Sequence, residues 1–372
     1  MTDTTRATPT AGRSLWADAR ARLAKNRAAM VSLIYLGFMA LVCIIGPFVT
    51  PNAYTTIHAD YTRVPPSWSA YPKANDVEAA LNEAMKRARL LVKDWKQEGA
   101  KIEVTATAAK DIDDRSIRYL DRSDVFENAA VVEKSADGLT LKMTADVQQK
   151  HFYFGTDSNG RDLLTRTLIA GRVSLAIGLL AGLVAVVIGV LYGATSGFIG
   201  GKVDEAMMRV VDILYALPFI FFVIMLVVFF GRNFILMFLA VGAVLWLDMA
   251  RIVRGQALSL KRQEYVQAAE ALGVSRWGIL IRHIVPNLLG PVVIYMTLLV
   301  PQVIILESFL SYLGLGVQEP MSSWGVLISQ GSKTLPGALW LLLFPSFFLT
   351  STLFALNFVG DGLRDALDPK DR

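Results

Sequence analysis

Six apolar runs, each near the length needed to cross a bilayer, constrain this 372-residue chain more than any other feature. A spanning helix needs about 20 predominantly apolar residues. The runs at 28–49, 173–198, 213–230, 234–250, 284–306 and 338–359 meet or approach that length. The fourth is the shortest and carries Asp248 near its end, and Gly231-Arg232-Asn233 leaves room only for a tight hairpin between the third and fourth. The expected fold is an all-α membrane protein of six transmembrane helices. Composition agrees: 53% of residues are hydrophobic and 19% charged, against about 25% charged in ordinary soluble domains. This excludes disordered, collagen-like and disulfide-rich classes. The one cysteine, Cys43, lies inside the first run and reads as a small buried hydrophobe. His58, His151 and His283 are scattered without metal-ligand spacing, so no metal site is expected.

Charge gives the orientation. With the N-terminus inside, the inner segments 1–27, 199–212, 251–283 and 360–372 hold 17 lysines and arginines, while the short outer segments hold two, Arg232 and Lys333. Basic residues in short loops stay on the cytoplasmic side, so both termini are expected there. The first run is too long for a signal peptide, follows a 27-residue basic lead and is not trailed by a small-residue cleavage site; it reads as a retained anchor.

The long outer loop is a polar block in an apolar chain. Residues 50–171 carry 17 basic and 18 acidic groups, and long loops translocate largely regardless of charge. Val77, Leu81, Met85, Ala88, Val92 and Trp95 recur at helical spacing, which predicts a helix over 75–99 with Asn75 and Glu78 as its capping pair and Gly99 at its end. Residues 101–107 alternate, with Ile102, Val104 and Ala106 on one side, and Val131-Val132, Asp137-Gly138 and Leu139, Leu141, Met143 read as a hairpin. A small extracytoplasmic α+β insertion follows, either packing accessory to the membrane part or contacting an outer partner.

The loop between the fourth and fifth runs carries the mechanism. It reads Gln263-Glu264-Tyr265-Val266-Gln267-Ala268-Ala269-Glu270-Ala271-Leu272-Gly273 and continues to Arg282-His283-Ile284-Val285-Pro286-Asn287. Alanine and glutamate favour helix and glycine permits a sharp change of direction. The pattern is a short helix, a glycine break, a second short helix and a proline entry into a span: a rigid knuckle.

This loop resembles the cytoplasmic Glu-Ala-Ala loop of the membrane permease subunit of binding-protein-dependent ABC importers. Ala268, Ala269, Gly273 and Pro286 match at the family's spacing, while Gln267, His283 and Val285 depart from it in the manner of the peptide branch. The segments 154–162, 200–204 and 307–316, the start at 13–29 and the ending at 360–369 resemble the C-type subunit of oligopeptide permeases; 67–149 has no such likeness. The resemblance implies a domain plan of a cytoplasmic segment 1–27, a first helix 28–49, an extracytoplasmic loop or domain 50–160, a five-helix core 161–359 with a cytoplasmic coupling loop 251–284, and a tail 360–372. It further implies a second permease subunit, two cytoplasmic ATPase subunits, an extracytoplasmic peptide-binding protein and a bacterial inner membrane. Glu264, Gln267, Ala268, Ala269, Gly273 and Arg276 would meet the ATPase, with Glu264 an anchor, Gly273 the hinge corner and Ala268-Ala269 the close-contact face. Dipeptides and nickel complexes are alternative cargoes of the same branch.

Other classes fit less well. The only Gly-Lys pair, Gly201-Lys202, lacks the flanking glycine and hydroxyl residue of a phosphate loop, so ATP hydrolysis belongs to other subunits and neither a catalytic residue nor a cofactor is expected. An ion-driven carrier places ionisable groups in mid-span, and the six centres carry none. Glu307 reads as an interface residue or, alternatively, an outer gate, and Trp324 as an interface anchor. The basic balance is an orientation signal, not a nucleic-acid one.

Overall fold

The computed structural model describes residues 15–230 and 234–367. Along the chain its elements are α1 (Leu15–Lys25), α2 (Arg27–Val49), α3 (Ala74–Arg87), β1 (Leu91–Glu98), β2 (Lys101–Thr107), α4 (Arg118–Asp121), β3 (Phe126–Lys134) and β4 (Thr140–Val147). Then follow α5 (Leu163–Ile199), α6 (Gly201–Ala216), α7 (Phe219–Phe230), α8 (Phe234–Leu260), α9 (Glu264–Ala271), α10 (Arg276–Ile279), α11 (Val285–Tyr312), α12 (Trp324–Lys333) and α13 (Trp340–Leu367). Two compact units are distinguishable: Ile44–Ala170 with Leu327–Ser346, and the remaining described residues.

Four described helices are long and apolar enough to cross a bilayer: Arg27–Val49, Leu163–Ile199, Arg276–Tyr312 and Trp340–Leu367. The third expected run is not one helix. Leu217 is extended, at φ −74° and ψ 132°, as a residue preceding proline prefers, and Pro218 has no N–H to continue α6. The run is therefore divided between the end of α6 and the 12-residue α7. At 1.5 Å per residue α7 is about 18 Å long, short of the ~30 Å hydrocarbon layer. The fourth run lies in α8, which continues through Asp248 for 27 residues in all. The hairpin expected at Gly231-Arg232-Asn233 lies outside the described residues.

Close helix packing follows from glycine spacing. Gly189, Gly193 and Gly197 form one stripe on α5, and α8 lies directly on it. A Cβ at Gly193 would sit 2.3 Å from the Ala250 carbonyl oxygen, one at Gly197 2.6 Å from that of Arg254, and one at Gly189 2.6 Å from Met249 Cβ. Gly242 of α8 is likewise pressed against Val184. Lipid supplies no hydrophobic drive between helices, so such backbone approach is what holds them together. Residues 360–367, expected as tail, continue α13 as helix, where Gly362 admits Ala29 and Leu23; residues 368–372 lie outside the described residues.

Trp324 corrects another expectation. After α11 the chain turns at Gly314 (φ +79°) and returns so that Trp324 is fully buried. Its N–H donates to Ser174 Oγ at 3.1 Å, and its ring fills the space left by Gly171. It is a packing residue, not an interface anchor.

The unit holding 44–170 contains an antiparallel sheet of order β1-β2-β4-β3. Its core is one face of α3 (Val77, Leu81, Ala84, Met85) against alternate residues of β2 (Ile102, Val104, Ala106) and β4 (Leu141, Met143, Ala145). The β2 alternation and the β3–β4 hairpin, turning at Gly138 (φ +69°), are as expected from the pattern. The helix expected over 75–99 is not. It ends at Arg87, Arg89 turns left-handed (φ +61°), and 91–98 pairs as a strand with β2 around the turn at Gly99. Cross-strand pairing overrides a helical period that Val92 and Trp95 continued by chance. The helix also caps earlier than expected: the Asp76 carboxylate accepts the Lys73 N–H at 2.9 Å.

Candidate functional site

The loop after α8 folds into two short helices meeting at Gly273. Glu264 opens α9, where a carboxylate complements the helix dipole. The helix closes with paired bonds from Gly273 N–H to the Glu270 carbonyl (3.0 Å) and from Val274 N–H to that of Ala269 (3.1 Å). This closure requires a left-handed residue at the corner, and Gly273 has φ +78° with no heavy atom near its missing Cβ. Backbone conformation, not crowding, selects glycine there. Ser275 then caps α10 by accepting the Gly278 N–H at 3.2 Å. One π-type turn, Leu280–Ile284, joins it to α11, with Pro286 in the first turn.

The knuckle has two faces. Val266, Ala269, Ile279, Leu280, Ile284 and Leu288 are buried in one cluster with Val253 and Ala257 of α8. The opposite face leaves Leu272 83% exposed, Ile281 64% and Trp277 62%. Of the expected residues, Glu264, Gln267, Ala268, Gly273 and Arg276 are exposed, whereas Ala269 is buried. The alanine pair therefore divides: Ala269 fixes α9 to its support and Ala268 remains open. Gln267 reaches back to the Arg262 carbonyl at 3.2 Å.

Sequence reading missed what holds the base of the knuckle. Arg254 on α8 donates to both carboxylate oxygens of Asp204 on α6, at 2.5 and 2.6 Å, and Ser196 at the end of α5 donates to the same carboxylate. Lys261 adds a bond to the Ile199 carbonyl at 3.2 Å. Three helices are thus joined immediately before the coupling segment. The Arg254 fork holds the Asp204 carboxyl below its ordinary value, so its stabilisation is present above the unfolded carboxylate range, near pH 4, and is lost as pH falls through the depressed folded value. Arg254→Met is expected to lower the melting temperature of the detergent-solubilised protein at pH 7 and to flatten its acid-side decline. Melting curves across pH 3–7 check this.

Glu307, the remaining expected residue, is fully buried. Ser311 donates to its Oε1 at 2.6 Å and Ser174 to its Oε2 at 3.4 Å. Ser323 lies 3.4 Å from Ser311. It joins α5, α11 and the segment before α12 from within and does not lie at an exposed interface.

Two family models match. The first, the inner membrane component of binding-protein-dependent transport systems, covers residues 174–372. That stretch holds the knuckle, the Asp204–Arg254 base and Glu307. The chain belongs to this family. The second model, the N-terminal transmembrane domain of oligopeptide transport permease C, covers 14–66. The oligopeptide transport system permease protein OppC of Escherichia coli K12 is 48% identical over 97% of this chain and 93% of its own. OppC of Bacillus subtilis is 49% identical over 60% of this chain and 73% of its own, and that organism's dipeptide permease DppC 45% over 65% and 75%. With four helices of spanning length, the chain is a multi-pass component of the inner membrane, in a family of membrane subunits and not of enzymes.

Proposed function

We propose that this chain is one permease subunit of an ATP-driven importer of oligopeptides, forming half of the pathway beside a second, similar permease. Two cytoplasmic ATPase subunits bind inside and a peptide-binding protein delivers cargo outside. The observation that carries the reading is the knuckle: an apolar face of Leu272, Trp277 and Ile281 left uncovered on a loop rigidly fastened to α8 and α11. Such a lever transmits the closure of a partner to the spans and biases them between two arrangements. Glu264, Gln267, Ala268 and Arg276 surround that face, Gly273 sets its angle, and Ala269 holds it from behind. The plan is six crossings with both termini cytoplasmic, α7 with the end of α6, together with α8, supplying the two beyond the four long helices. Residues 50–160 then lie outside, 251–284 inside and 360–372 form the cytoplasmic end. Glu307 pins the outer segment leading to α12 as part of an outer gate.

Identity to OppC proteins over nearly the whole chain favours oligopeptide cargo, and the shorter match to DppC makes dipeptides the competing cargo. Reconstitution with its partner subunits is expected to give oligopeptide uptake that needs ATP and the binding protein. Uptake driven by a proton gradient without ATPase subunits overturns the reading in favour of an ion-coupled carrier, and uptake restricted to dipeptides corrects the cargo alone.

A further inference from the structure

We infer that the aromatic cluster Trp68–Tyr153–His151 is a membrane-interface anchor, seating the neck of the insertion in the lipid headgroup layer at the bilayer face where α2 ends and α5 begins. The neck is a two-stranded element. Tyr71 and Lys150 exchange backbone hydrogen bonds at 2.7 and 2.8 Å, and Ser67 N–H donates to the Phe152 carbonyl at 3.1 Å. Successive residues of such a strand point to opposite faces. One face sends Phe152 and Tyr71 into the insertion core, where their rings and that of Tyr61 pack 5.3–6.3 Å apart. The other carries His151 and Tyr153, stacked at 5.9 Å, and Trp68 lies 5.5 Å from Tyr153. Trp68 is 87% exposed. No core requirement accounts for a second aromatic group on the outer face.

The height of the cluster identifies its partner. Asn52, three residues past α2, donates to the His151 carbonyl at 2.8 Å, and its own carbonyl accepts from Thr165 in the first turn of α5 at 3.0 Å. The cluster is therefore tied to the level at which two spanning helices meet their ends. Just beneath, the last turn of α2 bares Phe48 (81%) and Val49 (77%), a surface suited to hydrocarbon. The aromatic side chains begin where that surface stops. Rings with one apolar body and one N–H or O–H are enriched in this boundary layer. A protein partner docking here would have to cover Trp68 while standing against lipid-facing Phe48 and Val49.

The test uses the full chain in lipid vesicles and compares it with Trp68→Phe, so that the difference in emission isolates Trp68 among the seven tryptophans. Phosphatidylcholine brominated near the glycerol end of its acyl chains is expected to remove most of the difference signal. Bromines near the chain terminus remove much less, and aqueous acrylamide removes little. Trp68 is largely exposed and is not among the core residues, so the variant folds and its melting temperature matches wild type. A difference signal quenched by acrylamide and untouched by bromines overturns the anchor. Shielding that appears only when a binding protein is added overturns it in favour of a protein contact.

Discussion

Gly193→Leu is expected to abolish the folded membrane protein, the largest loss any single substitution here produces. The position is defined by backbone, which cannot rotate away: a Cβ there would lie 2.3 Å from the Ala250 carbonyl oxygen and 3.0 Å from the Arg254 nitrogen. Overpacking a core costs about 1–3 kcal/mol where side chains yield and more where they do not, against a total of about 5–15 kcal/mol. Separating α5 from α8 also draws Arg254 off Asp204, since the same stretch of α8 carries both contacts. Even Gly193→Ala, adding only the Cβ, meets the carbonyl and is expected to destabilise. Gly255→Leu is the matched control: it lies on α8 with no heavy atom within 4 Å of its missing Cβ and is expected to leave yield unchanged. Size-exclusion profiles and melting temperatures of the detergent extracts decide it. A monodisperse Gly193→Leu peak with wild-type melting would refute the close-packing account.

How much of this was legible beforehand differs by element, and the reason is the range of the interaction. The knuckle is local: alanines and glutamate for α9, one glycine for the corner and a second short helix after it follow one another closely in sequence, and the structure has them in that order, with the Ser275 cap added by the structure. β2 was legible because one face is buried and one is not, so its period shows. β1 was not: it is an edge strand with both faces largely solvated, so nothing enforced alternation and the helical spacing running on from α3 was misleading. Pro218 was visible in an apolar run, but composition alone does not say whether a proline kinks a helix or ends it. The Asp204–Arg254 fork joins residues 50 apart, and no local pattern announces such a pair. The Trp324 expectation failed for a related reason: a tryptophan near a span end satisfies the interface rule whether its ring is buried or exposed, and only the return of the chain after Gly314 shows that this one is buried.

Charging the knuckle's outer face should silence transport while leaving the fold intact. Leu272 and Trp277 project from α9 and α10 into solvent, so Leu272→Asp and Trp277→Asp remove no core contact and each variant is expected to reach the membrane with wild-type melting. In the proposed complex both side chains are covered by the ATPase subunit. Truncating a central anchor of this kind costs about 2–4 kcal/mol, a loss of roughly 30-fold or more in affinity for one anchor, and placing a carboxylate in the pocket adds its desolvation. The double variant should therefore fail to co-purify with the ATPase subunits and show no ATP-dependent uptake. Gly273→Val acts differently. Its neighbourhood is empty, so the burden is a β-branched residue held at φ +78°, about 1–2 kcal/mol, released by rotating α10 relative to α9. ATPase binding should then weaken less than in the double variant, while uptake falls further than binding does, because the lever is bent and not removed. Gly273→Asn, which tolerates the left-handed region, should retain most uptake. Wild-type binding and uptake in the Leu272→Asp, Trp277→Asp double variant would place the coupling surface elsewhere, and equal uptake in the valine and asparagine variants would show that the corner's conformation does not matter.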